Sequence, residues 1–440
     1  MSERKNRYYF NNEDLIYFVD DDSDNLQSHN IKLKRENLKT YNYFEASKDY
    51  EATHESLIKY RNDFKYCCSK FKDFLKTKKN QYEYDTKYNH NDATFRFYKY
   101  VQNRELKKIK LDPIFDYEMY YMEGCNNGAL IKLFGYDEDS DIICDSYGYD
   151  YSAYYPNLLN SGLLYLPTTQ GEKKLLSNLD FDKIQYGIYK INKLEFGSNS
   201  KIDKYFKTNK YGFYTHYDLI FLNKHNVKIN MEVKGKGLEF NCVVWDESKL
   251  INTKEIFSKW FLILQEAKTK CKDNFIIKRC MSSLWGSLVE FNKIFIEEAE
   301  TQDEKFNCSR ISTNEETEYK LIDVKFYKDR KVYVCCKSKN PYSYEFARLK
   351  PFLLALSRTN IIDMILENEV IEKNIFRIHT DNITLKEPFD FKKAGYKYYP
   401  IPEAKTTGKI KWKNVNEYYH ICPECGVEYK YSPKLKHKCD

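Results

Sequence analysis

The sequence predicts an α+β fold: an antiparallel sheet, a helical projection inserted into it, a return to the sheet, and a small metal-binding tail. Three observations carry this. Short segments of alternating apolar and polar residues flank a long helical stretch, a helix and a tight hairpin follow them, and Cys422-Pro423-Glu424-Cys425 precedes His437 and Cys439 at the C-terminus.

The elements follow in order. Residues 1–112 are dense in Lys, Asp, Asn and Tyr, with helical periodicity around Glu55 to Lys76, and read as a partly helical N-terminal module. Residues 113–250 enter the sheet. Ala129 to Phe134 and Asp141 to Cys144 are short strands separated by the acidic turn Tyr136 to Ser140. Ile188 to Leu194, Tyr217 to Leu222 and Val227 to Val233 alternate as an inserted antiparallel region, with Gly197, Gly235 and Gly237 at turns. Residues 251–295 form the projection, where Thr253 to Val289 is one long helix or two with a turn near Lys272 to Asn274. Residues 296–413 return to the sheet through strands Tyr319 to Tyr327 and Lys331 to Cys336. An amphipathic helix over Phe346 to Asn368 and the pair Asn374 to Ile378 and Ile383 to Leu385 complete that segment. Residues 414–440 are the tail.

Composition narrows the class without choosing a function. The chain has 440 residues, enough for several structural units, and its 72 Lys+Arg against 65 Asp+Glu leave a net charge of +7 that suits a polyanionic partner without requiring one. Its 41 Tyr and 28 Phe suit base stacking, although an AT-rich coding sequence gives the same bias. Met1 to Arg7 run into charged and aromatic residues rather than an apolar leader, and no window has the length and apolarity of a membrane span. A reducing cytoplasmic or nuclear location is expected, with the 13 cysteines as thiols or metal ligands, the adjacent pairs Cys67-Cys68 and Cys335-Cys336 as buried thiols.

Three constellations carry chemistry. Asp150-Tyr151-Ser152-Ala153-Tyr154-Tyr155-Pro156 sets a carboxylate at a strand end, where a hard oxygen suits a divalent cation; alone, such an Asp is equally a turn former or helix cap. Lys278-Arg279-Cys280-Met281-Ser282-Ser283-Leu284-Trp285-Gly286 puts Lys278, Ser282, Trp285 and Gly286 on one helical face. A cation, a hydroxyl, a flat aromatic and a glycine there can hold a triphosphate, stack on a base pair and let a backbone approach. They equally describe a solvated lysine beside a core tryptophan. His379-Thr380-Asp381-Asn382 is a polar turn between apolar strands, whose Asp381 can meet Asp150 so that the two hold a pair of metal ions.

The ordered set resembles the family B DNA polymerases, whose three motifs read D-x-x-S-L-Y-P, K-x-x-x-N-S-x-Y-G and D-T-D-S. It resembles most the protein-primed branch of phages and linear plasmids. There an aromatic-rich helix, here Glu255 to Trp260, precedes the lysine helix, and Gly408-Lys409-Ile410-Lys411 is similar to the branch's G-K-x-K segment. Tyr121-Met122-Glu123-Gly124 is faintly similar to its Y-x-G-G element, so the resemblance covers residues 115 to 413.

It implies a right-hand architecture: an antiparallel-sheet palm, helical fingers at 251–295, a reduced thumb and the zinc-binding tail. It implies that Asp150 and Asp381 hold two Mg²⁺ or Mn²⁺ ions, that Tyr155 is a steric gate against a ribose 2′-hydroxyl, and that Lys278 contacts the triphosphate. Tyr151, Ser283 and Trp285 would line the nucleotide, while Gly286, Thr380, Lys409 and Lys411 would contact DNA. The partners implied are primer-template DNA, deoxynucleotides and a terminal-protein primer or replication accessory proteins, in the service of a virus or selfish element.

The departures are Ala153, Ser282, Trp285, His379 and Asn382 where the family has Ser, Asn, Tyr, Asp and Ser. They keep open a second reading, a catalytically weakened or silent DNA-binding protein with the same fold. Few residues precede Asp150, so no proofreading exonuclease is expected.

In the tail, Cys422, Cys425, His437 and Cys439 make a four-ligand N/S set suited to one structural Zn²⁺, with His420 in reserve. Lys430, Lys434, Lys436 and Lys438 around it suit DNA phosphates.

Overall fold

The computed structural model describes residues 109–134, 142–197, 201–233, 239–270, 281–282, 284–286, 289–297, 319–326, 331–337, 341–393, 401–412 and 418–429, and three N-terminal strands. The chain divides into two compact units, residues 1–109 with 256–288, and residues 110–255 with 289–440. In the first unit β1 (Arg7–Asn12) and β2 (Leu15–Asp20) pair antiparallel, and β3 (Leu38–Lys39) joins β2 in parallel. These strands were not expected: Tyr8 to Phe10 and Ile16 to Val19 supply the β-branched and aromatic residues that favour strands, amid polar neighbours that hide them. The helix expected over Glu55 to Lys76, Cys67 and Cys68 lie outside the described residues.

The second unit starts with α1 (Asp116–Gly124), β4 (Ile131–Leu133), β5 (Ile142–Asp150) and α2 (Tyr154–Leu159). The inserted region holds β6 (Tyr165–Pro167), β7 (Glu172–Lys174), β8 (Tyr186–Glu195), β9 (Phe213–Thr215), α3 (His216–Lys224), β10 (Lys228–Met231), β11 (Cys242–Trp245) and β12 (Leu250–Asn252). Strands β7 to β11 form one sheet around β8, and β12 pairs with β6. Here one expectation fails, since Tyr217 to Leu222 lie in the helix α3 rather than in a strand. The local reason is a capping box: the Thr215 hydroxyl accepts from the Asp218 amide and the Asp218 carboxylate accepts from the Thr215 amide, fixing a helix start that period-two counting overlooks.

Helix α4 (Thr253–Lys270) leads out of this unit, and residues 281–282 and 284–286 are again helical. Strands β13 (Lys293–Glu297), β14 (Tyr319–Phe326) and β15 (Lys331–Lys337) form an antiparallel sheet with β15 central, burying Cys335 and Cys336 as expected. A 3₁₀ turn over Glu345–Arg348 then opens α5 (Leu349–Glu367). The expected amphipathic pattern is wrong for this helix, because every residue from Pro351 to Ile365 is buried, polar ones included. It is the central rod of the unit, packed on α1, α2 and α3. Its buried Arg358 is met by Asp218 at 3.1 Å and by the Gly128 carbonyl at 2.7 Å, so the charge is paired.

After α5 come β16 (Ile375–His379), β17 (Asn382–Leu385), β18 (Glu403–Trp412), β19 (Tyr418–Ile421) and β20 (Glu428–Tyr429). They build a seven-stranded antiparallel sheet in the order β20-β19-β18-β5-β17-β16-β4. Strands from three distant stretches of chain thus meet around β5. Among the described residues no helix is long and apolar enough to cross a membrane.

Candidate active site

Strand β5 ends at Asp150, and the hairpin β16–β17 brings its tip alongside. Asn382 lies directly opposite Asp150, and the Tyr151 amide donates to the Asp381 carbonyl at 3.1 Å. The backbones of 150–151 and 381–382 are therefore hydrogen-bonded neighbours. On the other side of β5, Glu403 of β18 also lies opposite Asp150. With His379 paired to Asn382 and to Ile131, one row runs Ile131, His379, Asn382, Asp150, Glu403 across five strands. Directly opposed residues of antiparallel strands share a face, with Cβ atoms about 4.5–5.5 Å apart, so a histidine, an amide and two carboxylates form one ladder.

Two backbone anomalies bracket this row. Ala153, three residues past Asp150, has φ +49, and Thr380, just before Asp381, has φ +62. A positive φ at a β-branched residue is uncommon and strained, and such residues gather at functional sites. The loop Thr380-Asp381 is positive at its first residue only, the sign pattern of a type II′ turn whose first position glycine ordinarily fills. The Thr380 amide donates to the Leu130 carbonyl at 2.8 Å, which anchors the turn to the chain before β4. Burial raises the Asp381 carboxyl above the ordinary carboxylate range. Such a group gains from a positive partner, and carboxylate oxygens are the donors that magnesium and manganese prefer, so the residue types here fit a divalent cation. Among the described residues no three His, Cys, Asp or Glu side chains converge on a single point where an ion would sit. The fold contributes neighbouring positions.

The wall behind is aromatic. Tyr151 is buried and stacks on Tyr154, their centroids 5.0 Å apart, and the Tyr154 hydroxyl donates to the Ser357 carbonyl at 2.8 Å on α5. The Tyr155 phenol is pushed up to about 12, chiefly by burial; the Ser357 hydroxyl and Arg358 oppose this and the Asp381 carboxylate adds to it. Tyr155 is thus within electrostatic reach of both Asp381 at the hairpin tip and Arg358 on the central helix.

Asp150, Asp381, Thr380, Tyr151 and Tyr155 therefore come together, while Lys409 and Lys411 lie on β18, farther from the Asp150 end. Trp285 and Gly286 belong to the first unit, and Lys278 and Ser283 lie outside the described residues. Sequence reading missed Glu403. No motif surrounds it, and the sole signal is its place at the start of a strand five residues before Gly408. In the tail Cys422 and Cys425 occupy the tip of the β19–β20 hairpin, whereas His437 and Cys439 lie outside the described residues.

No family profile matches the sequence and no curated protein matches it. Solved structures of Phi29 DNA polymerase are similar to the chain. The ternary complex with primer-template DNA and incoming nucleotide is 13% identical at a TM-score of 0.48, covering 83% of this chain and 60% of that one. The complex with single-stranded DNA is 13% identical at 0.48, covering 78% and 57%, and the post-translocation binary complex is 14% identical at 0.46, with the same coverage. The chain spans at most 60% of the length of these three structures.

Proposed function

We propose that this chain is a template-directed DNA polymerase that adds deoxynucleotides to a primer 3′ end. The observation that carries the reading is the strand register that sets the Asp381 hairpin and Glu403 on either side of Asp150. It supports the motif resemblance because strand pairing brings together positions more than two hundred residues apart in the chain.

In this reading Asp150 and Asp381, with Glu403 beside them, would hold two Mg²⁺ or Mn²⁺ ions. Bound there, such ions would lower the pKa of the primer hydroxyl and neutralise charge on the transferring phosphoryl group. The primer 3′-hydroxyl gives up its proton to water, its oxygen forms a bond to the α-phosphorus, and the bond to the departing pyrophosphate breaks. The remaining work is positioning. Tyr155, fixed against α5, limits the space open to a 2′-hydroxyl; Lys278 neutralises the triphosphate; Tyr151, Ser283 and Trp285 shape the nucleotide site; Gly286, Thr380, Lys409 and Lys411 hold DNA.

A second reading rests on one residue. His379 occupies the row where the resembled family has a carboxylate, which favours a DNA-binding protein without turnover. Primer extension on a defined template separates the two. The parent extends with Mg²⁺ or Mn²⁺ while Asp150→Ala and Asp381→Ala do not; a parent that extends nothing, yet binds primer-template, supports the silent protein.

A further inference from the structure

Helix α2 opens on two tyrosines, and the first is a further departure from the resembled motif. Where that motif reads D-x-x-S-L-Y-P, this chain has Tyr154 in the leucine's place, immediately before Tyr155. A buried leucine asks nothing of its surroundings, whereas a buried phenol has to find hydrogen-bond partners. Tyr154 is 2% exposed and finds two, both on α5. Its hydroxyl donates to the Ser357 carbonyl at 2.8 Å and accepts from the Asn360 side-chain amide at 3.2 Å. Ser357 and Asn360 are three residues apart, so one face of the central helix serves both bonds. Asn360 is itself fully buried, a polar residue where the core otherwise takes apolar ones.

The start of α2 gains from such an anchor. The helix has six residues, too few to hold itself, and its N-cap Ala153 lies at φ +49 with no side-chain cap. Leu158 and Leu159 bury its far end. At the near end Tyr151 stacks on Tyr154 with ring centroids 5.0 Å apart, and the Asn157 side chain donates to the Ser152 carbonyl at 2.7 Å. The turn that leaves Asp150 is thus closed on itself, and the Tyr154 hydroxyl joins it to α5. The next ring along is Tyr155, its centroid 5.7 Å from that of Tyr154, so a displacement of one is passed to the other.

We propose that Tyr154 and Asn360 are positioning residues for sugar discrimination: their hydrogen bonds hold Tyr155 where it admits a deoxyribose and excludes a ribose. The inference rests on the polymerase reading and on Tyr155 as the gate. Both positioning side chains are buried, so they act through the ring beside them rather than on the nucleotide. A misplacement of about 1 Å is enough to change such a contact. Two hydrogen bonds to a rigid helix limit that movement in a way that a leucine, held by packing alone, does not.

The test is single-nucleotide incorporation by the full chain, with kcat/KM measured for a deoxynucleotide and for the matching ribonucleotide. Tyr154→Phe removes both hydrogen bonds and keeps the ring; Asn360→Leu removes one of them. The ratio of ribonucleotide to deoxynucleotide use should rise about tenfold in the first and about threefold in the second, as bonds of ordinary strength imply. The double variant should not exceed Tyr154→Phe, because Asn360 acts through the phenol. A merely structural role would lower the use of both nucleotides together. An unchanged ratio, in variants whose circular dichroism matches that of the parent, overturns the inference; where Tyr154→Phe fails to fold, Asn360→Leu decides alone. Tyr155→Ala tells the two levels apart. A raised ratio there, with unchanged ratios in the other variants, sinks the positioning role and leaves the gate, while a parent that incorporates neither nucleotide sinks the polymerase reading and this inference with it.

Discussion

Replacing Thr380 by glycine asks whether the hairpin carrying Asp381 is held under strain. Thr380 has φ +62 in a two-residue loop, where a β-branched side chain crowds the backbone. Removing that contact is expected to release about 1–2 kcal/mol, and the greater freedom of glycine in the unfolded chain returns about 0.5–1 kcal/mol. The Thr380→Gly variant should therefore be more stable than the parent by up to about 1.5 kcal/mol. Thr380→Ala keeps Cβ and most of the strain, and controls for loss of the hydroxyl. Urea unfolding followed by circular dichroism at unchanged m-value reads the difference. The relaxed hairpin visits more conformations, so primer extension by the glycine variant should slow even as stability rises. A glycine variant about 1 kcal/mol or more less stable than the alanine variant would refute strain as the cause.

Two further predictions concern the scaffold. Arg348 and Glu118 are fully buried and paired at 2.9 Å through two hydrogen bonds, and Arg348 also donates to the carbonyls of Asp112 and Pro113. Arg348→Leu should cost about 3–5 kcal/mol by stranding the carboxylate, and Arg348→Leu with Glu118→Gln should cost less, because no charge is stranded, although the Phe115 and Gly171 amides donate to different carboxylate oxygens and the single amide oxygen can accept from one of them. His216 is neutral in the fold, its pKa lowered from 6.5 to about 3 by burial among Tyr186, Tyr217 and Phe352. Between those values the unfolded chain holds a proton that the folded chain does not, so stability falls as pH drops below about 6.5, by about 2 kcal/mol at pH 5. His216→Asn should remove that part of the pH dependence in urea titrations, and an unchanged slope would contradict the assignment.

Particular residues show how far the sequence could be read. Alternation identified β8 and β10, apolar stretches flanking a tight polar turn identified β16 and β17, and Asp150 and Asp381 stood out because a strand and a hairpin end on them. Glu403 stayed hidden. What gives it meaning is pairing to Asp150 across more than two hundred residues, and register between distant strands leaves no local trace. Helix α3 was misread because Tyr217, Leu219 and Phe221 alternate while the Thr215 and Asp218 cap sets the backbone. Helix α5 carries Arg358 and Asp363 amid its apolar residues, yet both are buried, since Asp218 pairs with the first and Lys224 with the second.

Manganese binding measured by electron paramagnetic resonance, on the full chain with primer-template and a non-hydrolysable nucleotide, tests the central claim most directly. The account predicts about two bound ions per parent chain, severe loss in Asp150→Asn and Asp381→Asn, and weaker binding in Glu403→Gln. Binding in the two aspartate variants equal to that of the parent would contradict it.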